Sequence, residues 1–89
     1  MTASQPQVQP KQDGTIGKSL DLLDIVAAAP QPLRFADLLS LSGHPKATLH
    51  RHLKTLVNQD MLSLDPERQT YTLGVRLVVL AHAAWRQSS

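Results

Sequence analysis

The first regular pattern of apolar residues in the chain extends from Gly17 to Ala29. Its spacing of three and four residues is typical of an amphipathic helix, because such positions share one helical face. The main apolar stripe is expected to hold Leu20, Leu23 and Ala27, widened by Leu22, Ile25, Val26 and Ala29. Pro30 has no backbone N–H and disfavours the helical conformation of its predecessor, so the first helix is predicted to end there.

A short second helix is predicted from Phe35 or Ala36 to Ser42. It follows a stretch with two prolines, in which Leu33 and Arg34 are expected to form a brief extended piece. Gly43 comes directly after this helix. Because glycine readily adopts the left-handed conformation that commonly ends a helix, a tight turn is expected at this position.

The third helix is predicted from Pro45 to Asn58 and divides clearly into two faces. Its large apolar residues recur at helical spacing and are expected to be buried: Leu49, Leu53, Leu56 and Val57. The opposite face carries small, polar and basic residues, with Thr48 at its edge: Ala47, His50, Arg51, Lys54, Thr55 and Asn58. His52 lies nearer the buried face and is interpreted as a packed structural histidine.

The period of the pattern changes after Asp60. Apolar residues at 61, 62 and 64 precede the turn-forming run 65–69 (DPERQ), and Tyr71 and Leu73 alternate with threonines beyond it. This alternation predicts a two-stranded hairpin. Gly74 then ends the second strand, and a final helix is predicted over 75–85, with apolar residues around most of its circumference.

The order helix, helix, helix, strand, strand is that of a winged helix-turn-helix. The predicted fold class is mainly α with a small β-hairpin: a winged helix-turn-helix domain at 15–73, followed by a C-terminal linker helix at 74–89. Residues 1–14 are rich in Gln, Pro and Ser and are expected to form a disordered tail. In this fold the helix at 45–58 would enter the major groove of DNA, and the wing at 65–70 would reach the backbone.

The length and charge of the chain limit the number of domains and the class of partner to be expected. With 89 residues and a net charge of +2, the chain fits one small domain whose overall charge does not mark a nucleic-acid binder. Between Leu38 and Gln59, however, there is no acidic residue, whereas Lys46, Arg51 and Lys54 are basic. Cysteine is absent and no apolar run is long enough for a membrane span or a signal sequence, so a soluble cytoplasmic protein is expected.

Several motifs in this order resemble the N-terminal domain of IclR-type transcription regulators. They are the PKAT start of the third helix at 45–48, the adjacent His50 and Arg51 followed by Leu53 and Leu56, and the YTLG exit from the wing at 71–74. The resemblance covers most of residues 15–86. It implies sequence-specific binding of duplex DNA by a transcription regulator.

The sequence departs from the usual pattern of this family at two positions. Asp60 stands where a glycine usually ends the third helix, and His52 stands where an apolar residue is usual. Asp60 is therefore expected to adopt the helix-ending conformation, which aspartate tolerates better than most residues. The resemblance also implies a larger C-terminal effector-binding domain, so the chain is expected to be a fragment, and a small-molecule effector would bind only through that domain.

The residues expected to contact DNA combine the polar face of the third helix with the wing tip. Arg51 can bind guanine through two hydrogen bonds or hold a phosphate, and Lys46 and Thr48 lie where a helix N-terminus attracts phosphate. The full set is Lys46, Ala47, Thr48, His50, Arg51, Lys54, Thr55, Arg68 and Gln69. His50 and Lys54 are equally consistent with ordinary solvated residues.

Catalysis, a cofactor and a metal site are not expected. His50 and His52 are separated by about 200° around a helix axis and cannot bind one ion. The aspartates of the first two helices are expected on outer, solvated sides, and no nucleophile has a base and an orienting group arranged around it.

Two alternatives to duplex binding stay open. A winged-helix protein–protein interaction module without DNA binding would be expected to expose larger apolar or aromatic anchors on the third helix. Single-stranded RNA binding would need a stacking platform, and Phe35, Tyr71 and Trp85 are not expected to lie on one surface.

A homodimer is predicted from the apolar circumference of the first and last helices, which exceeds what so small a domain can cover. The residues concerned are Leu20, Leu22, Leu23, Ile25 and Val26, with Val75, Leu77, Val78, Val79, Leu80 and Trp85. The family resemblance implies pairing through the same segments. A two-fold dimer would read a pseudo-palindromic operator.

Overall fold

The computed structural model describes residues 14–88, which form four helices and three strands. The elements are α1 (Gly14–Ala28), β1 (Leu33–Arg34), α2 (Phe35–Ser42), α3 (Lys46–Asn58), β2 (Leu62–Asp65), β3 (Thr70–Leu73) and α4 (Val75–Gln87). The predicted tail lies outside the described residues except for Gly14. That residue begins α1, three residues before the predicted start.

The wing belongs to a three-stranded antiparallel sheet of order β1-β3-β2, which corrects the prediction of a two-stranded hairpin. β1 pairs with Thr70–Tyr71 at the start of β3, and β2 pairs with the whole length of β3. The extended conformation at 33–34 is confirmed, but its pairing was not predicted. A strand of two residues is too short to show a periodic pattern that would identify its partner.

The core lies between α1, α2, α3 and β2 and is almost entirely leucine. Its buried apolar residues are Leu22, Leu23, Val26, Leu38, Leu49, Leu53, Leu56 and Leu62.

The buried stripe of α1 corrects the predicted one, because Leu20 is 52% exposed and Ala27 is also exposed. Leu23 is buried as predicted, and Leu22 and Val26, which were predicted to widen the stripe, complete the buried set. Apolar residues occupy several sides of this helix, so the sequence pattern alone does not show which of them are buried. The packing of α1 against α2, α3 and β3 determines which residues are buried.

The predicted faces of α3 are confirmed. Leu49, Leu53 and Leu56 are buried, Val57 is half-buried, and His52 is 4% exposed. One boundary differs: the helix begins at Lys46 rather than at Pro45. Pro45 has φ −58°, which suits a helix, but its ψ of 147° is that of extended backbone. Because of this ψ, Pro45 precedes the first turn of the helix.

The segment that contains α3 is bounded at both ends by a residue in the left-handed backbone conformation. Gly43 has φ 70° after α2, and its N–H donates to the carbonyl oxygen of Leu39 at 3.3 Å. Asp60 has φ 61° after α3, which confirms the helix-ending conformation expected there. Together these two residues allow α2, α3 and β2 to follow one another through tight turns.

The end of α3 is fixed to the start of α4 by backbone contacts at Gly74. The N–H of Gly74 donates to the carbonyl oxygen of Met61 at 2.9 Å, and the N–H of Arg76 donates to that of Asp60 at 3.0 Å. A Cβ atom at residue 74 would lie 2.6 Å from the carbonyl carbon of Asp60. Only glycine therefore permits this approach of the two chain segments.

α4 lies largely outside the core, since no residue in it is buried. Its exposed apolar residues are Val75, Val78, Val79, Leu80 and Trp85, while Leu77 packs partly against the core. Within residues 14–88, no helix has the length and apolar character needed to cross a membrane.

Candidate nucleic-acid interface

The outward face of α3 is the surface with the clearest potential for nucleic acid. At 100° per residue, Ala47, Arg51, Lys54 and Asn58 form its central row. All four are exposed, as are Lys46, His50 and Thr55, whereas Thr48 is half-buried at the margin. Six of the seven predicted α3 residues are thus exposed, and none of the seven belongs to the core. Lys46, in the first turn, lies apart from the central row at this spacing.

Two local contacts hold side chains on this face. The hydroxyl of Thr55 donates to the backbone carbonyl oxygen of Arg51 at 3.1 Å, so its lone pairs stay directed outward. The ring of His50 lies against the ring of Phe35, with centroids 4.5 Å apart and planes inclined by 35°. Phe35 begins α2, and this contact therefore links the two helices of the helix-turn-helix at their exposed side.

A cleft of about 230 Å³, here called the wing cleft, separates α3 from the sheet. Leu53, Val57 and Leu64 form its apolar part, and its polar lining consists of His50, Lys54, Asn58 and Tyr71. Partial burial raises the pKa of the Tyr71 hydroxyl, which keeps this group protonated and able to donate a hydrogen bond.

Asn58 and Tyr71 line this cleft although neither was among the predicted site residues. Asn58 had been placed on the outward face, and its helical spacing from Lys54 was the signal available. Tyr71 gave no such signal, since only the folded sheet brings β3 beside α3.

The wing tip is an ordered turn that carries two acidic residues and one basic residue. Asp65 accepts hydrogen bonds through Oδ1 from the N–H groups of Glu67 and Arg68, at 2.9 and 3.2 Å. Gln69 has φ 56°, and its Nε2 donates to the carbonyl oxygen of Pro66 at 2.8 Å. The Gln69 amide is thus engaged within the turn, while the Arg68 side chain is exposed beside two carboxylates.

The described residues contain no group of three or more potential metal ligands. Binding of a small-molecule effector stays a prediction that residues 14–88 do not test.

Comparisons with known proteins agree with this architecture. A family model described as the IclR helix-turn-helix domain matches residues 15–66. The HTH-type transcriptional regulator XynR of Escherichia coli is 34% identical over 68 residues, which make up 76% of this chain and 27% of XynR.

Solved structures show the same fold. An IclR transcriptional regulator from Alicyclobacillus acidocaldarius matches with a TM-score of 0.77 and 26% identity, over 82% of this chain and 30% of that one. The repressor BlcR of Agobacterium tumefaciens matches with a TM-score of 0.74 and 23% identity, over 82% of this chain and 29% of BlcR.

The chain therefore spans less than a third of each of these three proteins. Its match to the family model nevertheless covers the helix-turn-helix and the first strand of the wing hairpin. XynR and the Alicyclobacillus protein are transcriptional regulators. On these grounds the chain belongs to the IclR family of helix-turn-helix DNA-binding domains.

Proposed function

We propose that this domain binds duplex DNA sequence-specifically, with α3 in the major groove. The observation that carries the proposal is the composition of the outward face of α3, which is exposed, small, polar and basic, and free of carboxylates. A major groove about 12 Å wide admits one helix whose outer side chains are of this kind. The core-facing leucines of α3 hold this face outward.

Arg51 is central to the proposed contact. It lies midway along α3 on the exposed row, where a guanidinium can donate two hydrogen bonds to guanine O6 and N7 or hold a phosphate. Ala47, one turn earlier, carries only a methyl group and so permits close approach of the helix to base edges.

The first turn of α3 is suited to a backbone phosphate. Pro45 at the N-cap provides no side-chain acceptor for the free N–H groups of this turn. These donors and the positive end of the helix dipole favour an anion, and Lys46 and Thr48 stand beside them. In the proposed complex they position the helix along the groove.

The wing cleft and the wing supply further backbone contacts in this proposal. Lys54, His50, Asn58 and Tyr71 can all donate hydrogen bonds around the cleft, which suits a sugar-phosphate strand running between α3 and the sheet. Arg68 reaches the adjacent backbone. Its effect is weaker, because Asp65 and Glu67 in the same turn repel phosphate.

A protein–protein interaction module is the second candidate, and the distribution of exposed apolar residues argues against it for α3. Large apolar or aromatic anchors are absent from the outward row of this helix. Most of the exposed large apolar residues lie on α1 and α4. The two surfaces therefore suit different partners: DNA at α3, and an apolar protein surface at α4.

Replacing Arg51 with alanine should weaken binding to the preferred DNA sequence by about 1–3 kcal/mol, as expected for loss of a bidentate base contact. Thermal stability should stay nearly unchanged, because Arg51 is exposed. The preferred sequence is first obtained by enrichment from random duplexes. Affinities are then measured over a range of salt concentrations, where wild-type binding should fall with a slope of about −0.9 per phosphate contact.

Arg86 provides a matched control, since it is an exposed arginine near the end of α4 and away from α3. Arg86→Ala should leave the affinity at its wild-type value. An Arg51→Ala variant with undiminished affinity would remove Arg51 from the interface, and a wild-type domain that fails to bind duplex DNA at low salt would contradict the proposed function.

We further propose that the domain acts as a two-fold dimer through α4 and the exposed start of α1. The structure alters the predicted set of residues: Leu22, Leu23 and Val26 are occupied by the core and cannot pair with a second copy. Ile16 and Leu20, at 70% and 52% exposure, are the α1 residues that remain available. With the apolar residues of α4 they offer surface of the kind that association covers.

Val79→Asp should shift the domain toward the monomer without unfolding it, because Val79 is 60% exposed. Sedimentation with and without operator DNA measures the effect. Leu41→Asp is the matched control, since Leu41 is also 60% exposed but belongs to α2. Wild-type domain that binds an asymmetric site strictly one to one would contradict the dimer and leave the role of α3 intact.

A further inference from the structure

Two histidines lie together at the turn between α2 and α3. His44 belongs to this turn, and its backbone N–H donates to the hydroxyl of Ser42 at 3.2 Å. His52 lies on the inner face of α3 and is 4% exposed. The two rings meet edge to face, with centroids 6.4 Å apart and an interplanar angle of 87°. The histidine pair thus joins the turn of the helix-turn-helix to the helix proposed to read DNA.

Each ring of the histidine pair has a buried nitrogen without a hydrogen-bond partner. These unpartnered atoms are Nδ1 of His44 and Nδ1 of His52. A neutral imidazole has one nitrogen without a proton, whereas an imidazolium has two N–H donors and a positive charge. Protonation of the His52 ring would therefore bury an unsatisfied donor together with a charge, which is far costlier than an unsatisfied acceptor.

The groups around His52 would not stabilise a positive charge on its ring. Burial is the main cause that lowers the pKa of His52. Arg51 on α3, His44 in the turn and Lys18 on α1 lower it further, and all three are basic. Among the described residues, no carboxylate contributes to the pKa shift of His52.

We propose that the histidine pair makes the helix-turn-helix sensitive to mildly acidic pH: protonation of His52 separates the α2–α3 turn from α3 and thereby weakens both the fold and DNA binding. The effect on DNA binding rests on the proposed function. The effect on folding does not, because it follows from the buried rings alone.

The direction of the pH effect follows from proton linkage. The folded domain binds fewer protons at His52 than the unfolded chain does, since the pKa is lowered on folding. Stability is therefore complete above the ordinary histidine pKa of about 6.5 and decreases as the pH falls through that value toward the folded pKa. Across this window, one excess proton reduces the ratio of folded to unfolded protein by up to about tenfold per pH unit.

The test compares the wild-type chain with His52→Leu, which fills the buried position with an apolar side chain that cannot titrate. Urea unfolding is measured at about pH 7.5 and about pH 5.5, on either side of the ordinary histidine pKa. The folded-to-unfolded ratio of the wild type should fall more than that of His52→Leu, by a factor of up to about ten. His82→Gln is the control, because His82 is exposed on α4, and it should retain the full wild-type loss.

DNA affinity is measured on the same samples, and its loss at the lower pH should likewise be greater in the wild type than in His52→Leu. Equal pH dependence of stability in the two proteins would overturn the proposal. NMR titration of the His52 ring gives an independent measurement that does not need the variant to fold, and a ring that titrates at or above the ordinary value would also overturn it. Absence of DNA binding at both pH values would contradict the proposed function, whereas the stability comparison would still decide the role of the histidine pair.

Discussion

Leu53→Ala should destabilise the domain by about 2–5 kcal/mol, the range for deleting most of a buried leucine side chain. Leu53 is 2% exposed and lies at the middle of the buried face of α3, between Leu49 and Leu56. A domain of this size has a total stability of only about 5–15 kcal/mol. The substitution should therefore consume a large share of it, as measured by urea or thermal unfolding.

Leu41→Ala is the matched control for this substitution, since Leu41 is an exposed leucine on a neighbouring helix. Its cost should be within about 0.5 kcal/mol, as is usual for surface positions. If Leu53→Ala unfolded at the wild-type temperature, α3 would have to be rotated about its axis, and the residues assigned to its outward face would change with it.

Gly74→Ala should destabilise the domain by about 1–3 kcal/mol or more, the range for forcing extra atoms into a well-packed site. With φ −87° and ψ 166° the backbone of residue 74 suits alanine, so the whole effect is steric. The added methyl group would meet backbone atoms of Asp60 and lie 2.8 Å from the carbonyl carbon of Met61. Main-chain atoms cannot rotate away, and the hydrogen bonds between these segments must lengthen or break.

Gly43→Ala is the control for this steric effect, because it tests the cost of a left-handed backbone conformation at a position without a steric clash. A Cβ at Gly43 would have nothing within 4 Å, but the residue has φ 70°. Its cost should be about 1–2 kcal/mol, from the left-handed backbone alone. Replacing Gly43 with asparagine should recover part of this loss, whereas Gly74→Asn should be at least as damaging as Gly74→Ala. Wild-type stability of Gly74→Ala in thermal unfolding would show that the backbone of residues 60–61 does not lie this close to residue 74.

The fold was predictable wherever one helix face or one strand pair determined the pattern. In α3, leucines at helical spacing alternate with polar residues, so the pattern by itself identified the buried and outward faces. The left-handed turn at Gly43 was also predictable from its residue type, whereas the one at Asp60 was expected because the family resemblance implies a helix-ending glycine there. These features are local, and local sequence is sufficient to specify them.

The features that were missed depend on residues distant in sequence. Apolar residues lie on several sides of α1, and the packing of other elements decides which of them are buried. Tyr71 reaches the wing cleft only because β3 occupies the centre of the sheet. Gly74 was interpreted as a strand breaker, while its main role is to admit the backbone of Asp60. In each case the partner that gives the residue its role belongs to another element.

The contact between α3 and α4 also has a consequence for the geometry of DNA sites. Besides the two backbone hydrogen bonds that join residues 60–61 to Gly74 and Arg76, the Nη1 of Arg76 donates to Oε1 of Gln59 at 3.4 Å, so the first turn of α4 is linked to the turn that follows α3. In the proposed dimer, α4 provides the subunit contact and α3 enters the groove. These hydrogen bonds within each chain would then set the separation of the two half-sites. That separation is one DNA turn of about 34–36 Å or a multiple of it. Substitutions at Gln59, Gly74 or Arg76 would alter the preferred spacing of half-sites while leaving the bases preferred within each half-site unchanged.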